Sequence, residues 1–333
     1  MTYLLIGDLH VTKANLEESR KFILWIRDLC RAKQLVPVFM GDQYNDHGLI
    51  RVEVQQFWNW AFDLLTENNS LTVIALTGNH DMNHECTASA MAAHNDLISV
   101  YGVDGSGGCH LSYDVYALPY IKKNEDFIKQ ASELAAKGAK YILCHQEVDG
   151  SQYESGTYSP NGVKLELLPK GVRFISGHIH KKQIVGKNFF YLGTPRQLTR
   201  SDIGEPKGVH MWDGKNGFEF IATPNEVCEQ FIKIVIQPET PWEMPPNSNK
   251  VYIDVCGPKE FVKSVCSQLP PLVKVKPIYD REQTEFDVKE SEGVAKAFDK
   301  YVGKYCTDRN LDDEIRREIL DRVYKRCPSL RVA

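Results

Sequence analysis

Short apolar runs recur through the first half of the chain, at Tyr3–Ile6, Val36–Met40, Leu71–Leu76, Tyr141–Cys144 and Val172–Ile175. Each is apolar at nearly every position and rich in β-branched or aromatic residues, the pattern of a strand buried on both faces. Between them the period lengthens. Leu16, Phe22, Ile23, Ile26, Leu29 and Cys30 mark one helical stripe, Phe57, Trp58, Ala61, Phe62 and Leu65 a second, and Phe127, Ile128, Ala131, Leu134 and Ala135 a third. Strands alternating with helices predict an α/β domain. From Cys109 to Tyr120 and from Phe189 to Phe220, shorter strand-like runs are separated by Gly, Asp and Asn turns. This antiparallel texture favours a mixed sandwich over a purely parallel sheet.

A last strand-like run, Phe231–Ile236, closes the first domain at 1–236. The stretch 237–249 carries four prolines and reads as a linker. A second, smaller α+β unit is expected over 250–307, with Val251–Val255, Lys259–Gln268, Val273–Ile278, Glu285–Val288 and Glu292–Tyr301 as strand, helix, strand, strand and helix. The segment 308–333 holds a charged helix, Leu311–Lys325, whose Ile315, Ile319, Leu320, Val323 and Tyr324 form an apolar stripe.

Composition narrows the class. With 333 residues, 42% of them hydrophobic, the chain can bury a substantial core, which excludes a disordered or fibrous reading. Nine scattered cysteines, odd in number and without a Cys-x-x-Cys pair, favour free thiols in a reducing compartment. There is no basic leader before Asp8 and no apolar run long enough to cross a bilayer, so a soluble, cytoplasmic protein without a membrane partner is expected. A formal charge of −4 argues against a simple DNA-binding module. Bound divalent ions would offset those carboxylates locally.

The chemistry sits where the strands end. The five runs lead into Gly7-Asp8-Leu9-His10, Gly41-Asp42, Gly78-Asn79-His80-Asp81, His145 and Gly177-His178-Ile179-His180. In open α/β sheets ligands gather beyond the carboxyl ends of strands, and glycine there lets the chain turn so that the next side chain enters the cleft. Taken singly the pieces are weak: Asp8-x-His10 is a common turn pair, Asn79 or Asp81 would cap a helix, and His178-x-His180 fits one face of an exposed strand. Their joint occurrence, each after an apolar run, changes the weighting. Five of the ten histidines fall at these ends, while His47 and His84 only lie near the site loops. Mixed Asp, Asn and His donors suit Mn²⁺, Fe²⁺ or Zn²⁺ better than Ca²⁺ or a thiolate-held zinc.

In this order the motifs resemble the calcineurin-type metallophosphoesterase superfamily, over roughly the first two-thirds of the chain. The resemblance implies a four-layer α-β-β-α sandwich with two metals at its edge, and a smaller capping domain after it. It implies that Asp8, His10, Asp42 and His180 hold one ion and Asp42, Asn79, His145 and His178 the other. His80 would contact the phosphate or protonate the leaving oxygen, oriented by Asp81. Within the superfamily, His145-Gln146, Leu167-Leu168-Pro169, Tyr191-Leu192-Gly193-Thr194-Pro195, Pro206-Lys207-Gly208 and Met211-Trp212-Asp213 are similar to the SbcD-type nuclease branch, in its short bacteriophage-like version. Protein phosphatases would show Asp-Arg-Gly at the second motif and Gly-Asn-His-Glu at the third. Here the second reads Gly41-Asp42-Gln43-Tyr44-Asn45, and Asn45 departs from nuclease relatives that carry His or Asp there.

Resemblance to that branch implies a DNA exonuclease and endonuclease, using two divalent ions, Mn²⁺ with Mg²⁺ as the alternative, and a metal-bridging hydroxide as nucleophile. It also implies a homodimer formed beside the second and third motifs, and an SbcC-like SMC-type ATPase subunit bound by the C-terminal helix. If the chain is phage-encoded, its compartment is the infected host cytoplasm. Lys181, Arg196 and Arg200, close in sequence to the last motif, are the candidate DNA contacts. The alternatives are a nucleotide or cyclic-nucleotide phosphodiesterase and a noncatalytic scaffold of the same fold. The first leaves the C-terminal unit harder to explain, and the second need not retain all eight site residues.

Overall fold

The computed structural model describes residues 2–67, 71–102, 108–215, 217–246, 248–280, 293–308 and 312–326. The chain divides into two compact units. One comprises Met1–Ile234, Pro245–Ile253 and Pro270–Lys274, the other Val235–Met244, Asp254–Leu269 and Val275–Ala333.

The first unit contains, in chain order, strands β1 (Tyr3–Ile6), β2 (Val36–Phe39), β3 (Ile74–Leu76), β4 (Ser99–Tyr101), β5 (Cys109–Ser112) and β6 (Val115–Leu118). They are followed by β7 (Tyr141–Cys144), β8 (Arg173–Ser176), β9 (Gln183–Val185), β10 (Phe189–Tyr191), β11 (Gly208–Trp212) and β12 (Glu219–Ala222). Its long helices are α1 (Leu16–Lys33), α2 (Val52–Thr66) and α3 (Asn124–Ala136). Two six-stranded sheets form, in the orders β12-β11-β1-β2-β3-β4 and β5-β6-β7-β8-β10-β9. In the first, β1 to β4 are parallel and β11 and β12 antiparallel. In the second, β6, β7, β8 and β10 are parallel, with antiparallel edges at β5 and β9.

Strand alternation explains why two sheets stack. Tyr3, Leu5, Val38, Met40, Ile74 and Leu76 from one sheet meet Val115, Ala117, Leu143 and Ile175 from the other in a shared buried layer. The intervening residues point outward. Leu4, Ile6, Phe39 and Ala75 pack against Phe22, Ile23 and Ile26 of α1 and Phe57, Trp58 and Phe62 of α2. On the far side Ile142, Cys144, Phe174 and Phe189 pack against Phe127, Ala131 and Leu134 of α3. The result is the expected helix-sheet-sheet-helix order, and it accounts for apolar runs without polar alternation. Helix α1 is reinforced by Glu17 and Glu18 in its first turn and by Arg31 and Lys33 in its last, both complementing the helix dipole.

Sequence patterning misses β4 and β9, and the structure shortens the expected strand Leu71–Leu76 to β3. Both missed strands are three-residue edges with half-exposed or exposed side chains, Ile184 being 68% exposed, so no buried run announces them. Of the two tryptophans on α2, Trp58 is fully buried and Trp60 is half-buried beneath the Arg20 guanidinium, 4.6 Å from its ring. The exposed apolar side chains lie around the start of the helix, at Leu49, Ile50 and Val52.

Strands β13 (Ile232–Ile236), β14 (Val251–Gly257) and β15 (Lys274–Tyr279) form a third sheet, and the boundary between the units falls within each of them. The described residues of 237–249 form neither helix nor strand. The second unit contains α4 (Lys259–Gln268), α5 (Gly293–Asp308) and α6 (Asp313–Arg326). Helix α6 pairs with α5, Tyr324 facing Phe298 with ring centroids 6.4 Å apart and Arg316 lying 3.4 Å from Asp299. The expected strand at Glu285–Val288 lies outside the described residues, as do the helix-starting residues Glu292 and Leu311. Among the described residues no helix is long and apolar enough to cross a membrane.

Candidate metal centre

The loops after β1, β2, β3, β7 and β8 all open at one end of the stacked sheets, because these strands run parallel within their sheets. Sharp turns bring the side chains back over the strand ends. His10, Asp42 and His178 all have positive φ (45°, 54° and 80°), a conformation costing about 1–3 kcal/mol for non-glycine residues and concentrated at functional sites. Gly41, at φ 104°, could not carry a side chain, since a Cβ there would enter the His145 ring. A Cβ on Gly78 would likewise enter the Asp42 carboxylate.

Two donor sets converge. Asp8, His10 and His180 offer atoms within 4.8 Å of one another, as do Asp42, His145 and His178. In the first, His10 Nε2 is 3.0 Å from His180 Nε2, which is 3.8 Å from Asp8 Oδ2. In the second, His145 Nε2 is 3.3 Å from Asp42 Oδ2 and 3.0 Å from Asn79 Oδ1, and His178 Nδ1 is 2.9 Å from Asn79 Oδ1. Asp42 Oδ2 also lies 3.6 Å from His10 Nε2, so this carboxylate stands between the sets. Backbone donors fix both aspartates: His178 N–H donates to Asp8 Oδ2 and His80 N–H to Asp42 Oδ1, each at 2.8 Å.

These residues fit divalent cations on three grounds. Asp8 Oδ1 is buried with no hydrogen-bond partner, a costly state for a carboxylate without a cation. Ring nitrogens face one another in pairs rather than facing donors, and the mix of imidazole, carboxylate and amide oxygen is a transition-metal donor set. The electrostatics agree. Burial pushes the Asp8 carboxyl up to about 7, with His145 opposing and Asp42 adding to the shift. Burial also works against the Asp42 carboxylate, but His145, His10 and His80 outweigh it and hold it below the usual range. His145 loses charge to burial and regains more from Asp42 and Asp8, reaching about 9. Burial pushes His10 well down.

His80 stands beside this cluster, its ring 4.7 Å from that of His10 and within reach of Asp42. Asp81 does not orient it, contrary to expectation. The Asp81 carboxylate turns inward to accept from Tyr44 N–H (2.8 Å) and Gly78 N–H (2.9 Å), pinning the second and third motif loops together. The His80 ring is instead held through Nδ1 by the Asn45 carbonyl at 2.6 Å. The backbone of residue 45 therefore performs a task that its side-chain identity does not disclose.

Arg196 is not a DNA contact. It is 2% exposed, and its guanidinium donates to the Leu9 carbonyl (2.6 Å) and Ser19 Oγ (2.8 Å) beside Glu18 (3.4 Å). Burial and these acceptors make it a clamp between the first motif loop and α1. Lys181 is half-buried, with Nζ on Gln152 Oε1 at 2.9 Å. Arg200 is half-buried with its guanidinium over Tyr252, 5.9 Å from the ring.

Four residues at the site escape sequence reasoning or are only glimpsed by it. His47 stacks on His80 with centroids 4.0 Å apart and bonds the Asn79 carbonyl through Nδ1 at 2.8 Å; His84 stacks on His47 in turn at 5.4 Å. Their nearness to the motif loops is the one signal the sequence offers. Glu147 lies 3.2 Å from His178 Nε2, and Glu154 3.4 Å from His180 Nδ1. Glu147 stands three residues past the Tyr141–Cys144 run, directly after His145-Gln146, a signal that motif reading passed over, whereas Glu154 follows no apolar run and belongs to no motif.

The calcineurin-like phosphoesterase family profile matches residues 1–182. The chain is 23% identical to exonuclease subunit 1 of Enterobacteria phage T4 over 181 residues, 52% of this chain. That alignment spans about half of the phage protein, 51% of its length. It is also 23% identical to the DNA double-strand break repair protein Mre11 of Nanoarchaeum equitans over 293 residues, 79% of this chain and 78% of that one. Among solved structures it resembles the Plasmodium inner-membrane-complex anchor GAP50 at 14% identity and a TM-score of 0.38, covering 69% of this chain and 91% of that one.

Proposed function

The chain belongs to the calcineurin-like phosphoesterase family, and from that premise we propose that it is a two-metal DNA phosphodiesterase, the nuclease subunit of an SbcCD-like end-processing complex. The observation that carries the metal assignment is the convergence of Asp8, His10 and His180 beside Asp42, His145 and His178, with the Asp42 carboxylate between them. Asp8, His10, Asp42 and His180 hold one ion; Asp42, Asn79, His145 and His178 hold the other. Mn²⁺ suits the donors, with Mg²⁺ as the alternative. Such ions, when bound, lower the pKa of water and offset charge on phosphate oxygens.

The chain's own residues do the rest. Backbone N–H groups of His178 and His80 keep the Asp8 and Asp42 carboxylates from rotating. His80, acting as the imidazolium, keeps its Nδ1 proton on the Asn45 carbonyl, turns Nε2–H to the substrate side and donates that second proton to the departing sugar oxygen, ending as the neutral Nδ1–H tautomer. Lys181 and Arg200 meet DNA phosphates, and the unit over 250–307 helps select DNA shape. The match to an exonuclease subunit and to a break-repair protein supports DNA as substrate. The exposed Leu49, Ile50 and Val52 at the start of α2 form the face of a homodimer, and α6 binds an SbcC-like ATPase.

The test is digestion of end-labelled duplex and single-stranded DNA with Mn²⁺, Mg²⁺ or chelator, alongside a small phosphodiester and a phosphopeptide. Metal-dependent DNA cleavage with negligible phosphopeptide turnover is expected. Rapid turnover of a small cyclic nucleotide or phosphopeptide, with DNA untouched under every metal, overturns the proposal.

A further inference from the structure

Residues 146–164, which follow β7, fold back over the outer side of the His178-x-His180 segment. Gln152 N–H donates to Gln183 Oε1 at 2.8 Å, Lys181 Nζ donates to Gln152 Oε1 at 2.9 Å, and Val148 N–H donates to the Tyr191 hydroxyl at 2.9 Å. This fastened loop delivers two carboxylates to two different rings. Glu147 Oε2 meets His178 at Nε2 (3.2 Å) and Glu154 Oε1 meets His180 at Nδ1 (3.4 Å). In each ring the other nitrogen faces the donor cluster: His178 Nδ1 toward Asn79 and His145, His180 Nε2 toward His10 and Asp8.

The two histidines thus use opposite ring nitrogens, and each glutamate lies on the nitrogen turned away from the cluster. Surface acids scattered without a role would not track that reversal. A carboxylate on one nitrogen draws the ring proton there, leaving the lone pair of the other free and more basic. Glu147 is itself held by the Tyr153 hydroxyl on its second oxygen. The other two imidazoles are held differently: His145 Nδ1 bonds the neutral Met40 carbonyl at 2.8 Å, with the Asp8 carboxylate farther off at 3.7 Å, and His10 Nδ1 has no hydrogen-bond partner.

We propose that Glu147 and Glu154 are positioning residues, one for each ion, which fix the tautomers of His178 and His180, so that a single loop sets the affinity of both halves of the centre. The inference rests on the two-ion reading of the proposed function.

Metal binding, read without DNA, separates the two. Wild-type protein titrated with Mn²⁺ by calorimetry and elemental analysis must first take up two ions; if it binds none, the proposed function falls. In a His10→Ala background, where the ion at Asn79, His145 and His178 remains, Glu147→Gln should weaken Mn²⁺ binding about 10–100-fold and Glu154→Gln should leave it unchanged. In an Asn79→Ala background the pattern should reverse. Glu→Asp at either position keeps the charge and should give an intermediate loss. Unchanged affinities in both backgrounds, or equal losses of both ions from either variant, overturn the inference, the second by marking a general loosening of the loop.

Discussion

Replacing His80 by Ala separates proton donation from metal binding, because the geometry gives His80 both opportunities. Its ring is within reach of His10 and Asp42, so it could act as a ligand, yet its Nδ1 is tied to the Asn45 carbonyl and its stacking partner is His47. The donor sets around Asp42 are complete without it, so His80→Ala should retain both ions by elemental analysis. A positioned general acid is worth about 10²–10⁴ in rate, or about 3–5 kcal/mol of barrier. That loss should depend on the leaving group. A deoxyribose oxygen needs a proton to depart, whereas p-nitrophenolate does not. With Mn²⁺ saturating, turnover of DNA should therefore fall by two to four orders of magnitude, while a p-nitrophenyl phosphodiester loses less than about tenfold. Loss of metal would make His80 a ligand. Equal losses on both substrates would make it a phosphate contact, and either result refutes the assignment of His80 as the acid.

Asp42→Ala removes the carboxylate between the two donor sets, so it should lose at least one ion by elemental analysis and abolish hydrolysis. Arg196→Ala should destabilise the protein by about 3 kcal/mol in chemical denaturation, the low end for a broken buried pair because Lys250 still faces Glu18 at 2.8 Å; an unchanged midpoint would return Arg196 to the surface. The chelated protein should lose stability as pH rises from 6.5 to 9. His145, raised to about 9, Asp81, raised by burial to about 8, and Asp8, raised to about 7, all keep protons in the folded state that the unfolded chain has given up. His145 alone corresponds to roughly 3 kcal/mol, and a chelated melting point that climbs over this window contradicts the electrostatics. Ile315, 38% exposed on α6, can be charged without disturbing the Tyr324–Phe298 contact. Ile315→Glu should thus abolish co-purification with the proposed SbcC-like ATPase while leaving metal-dependent cleavage of short DNA intact, and full-strength binding would move that proposed contact elsewhere.

The legible part of this molecule is the part where one physical requirement acts on consecutive residues. Strands β1, β2 and β7, and β8 at Phe174 and Ile175, are buried on both faces, so those positions must be apolar, and the glycines and donors after them sit where a parallel strand has to end. Strands β4 and β9 obey no such requirement, since a short edge strand buries little. The same distinction separates the expected site residues that converge from those that turn elsewhere. Asp8, His10, Asp42, Asn79, His145, His178 and His180 converge because each is one or a few residues past a buried run. Asp81 and Arg196 also follow such runs, but only the direction of the side chain distinguishes a group facing the cleft from one facing the backbone. Asp81 turns to the Tyr44 and Gly78 amides and Arg196 to the Leu9 carbonyl, choices made by tertiary packing that no periodicity encodes. Glu147 and Glu154 are the converse case. Seven residues apart in a loop without strand or helix periodicity, they meet neighbouring histidines only because Gln152, Lys181 and Gln183 fasten that loop across the last motif. Donors set by strand ends can thus be read from a sequence, whereas the groups that aim those donors depend on where a loop is tied down.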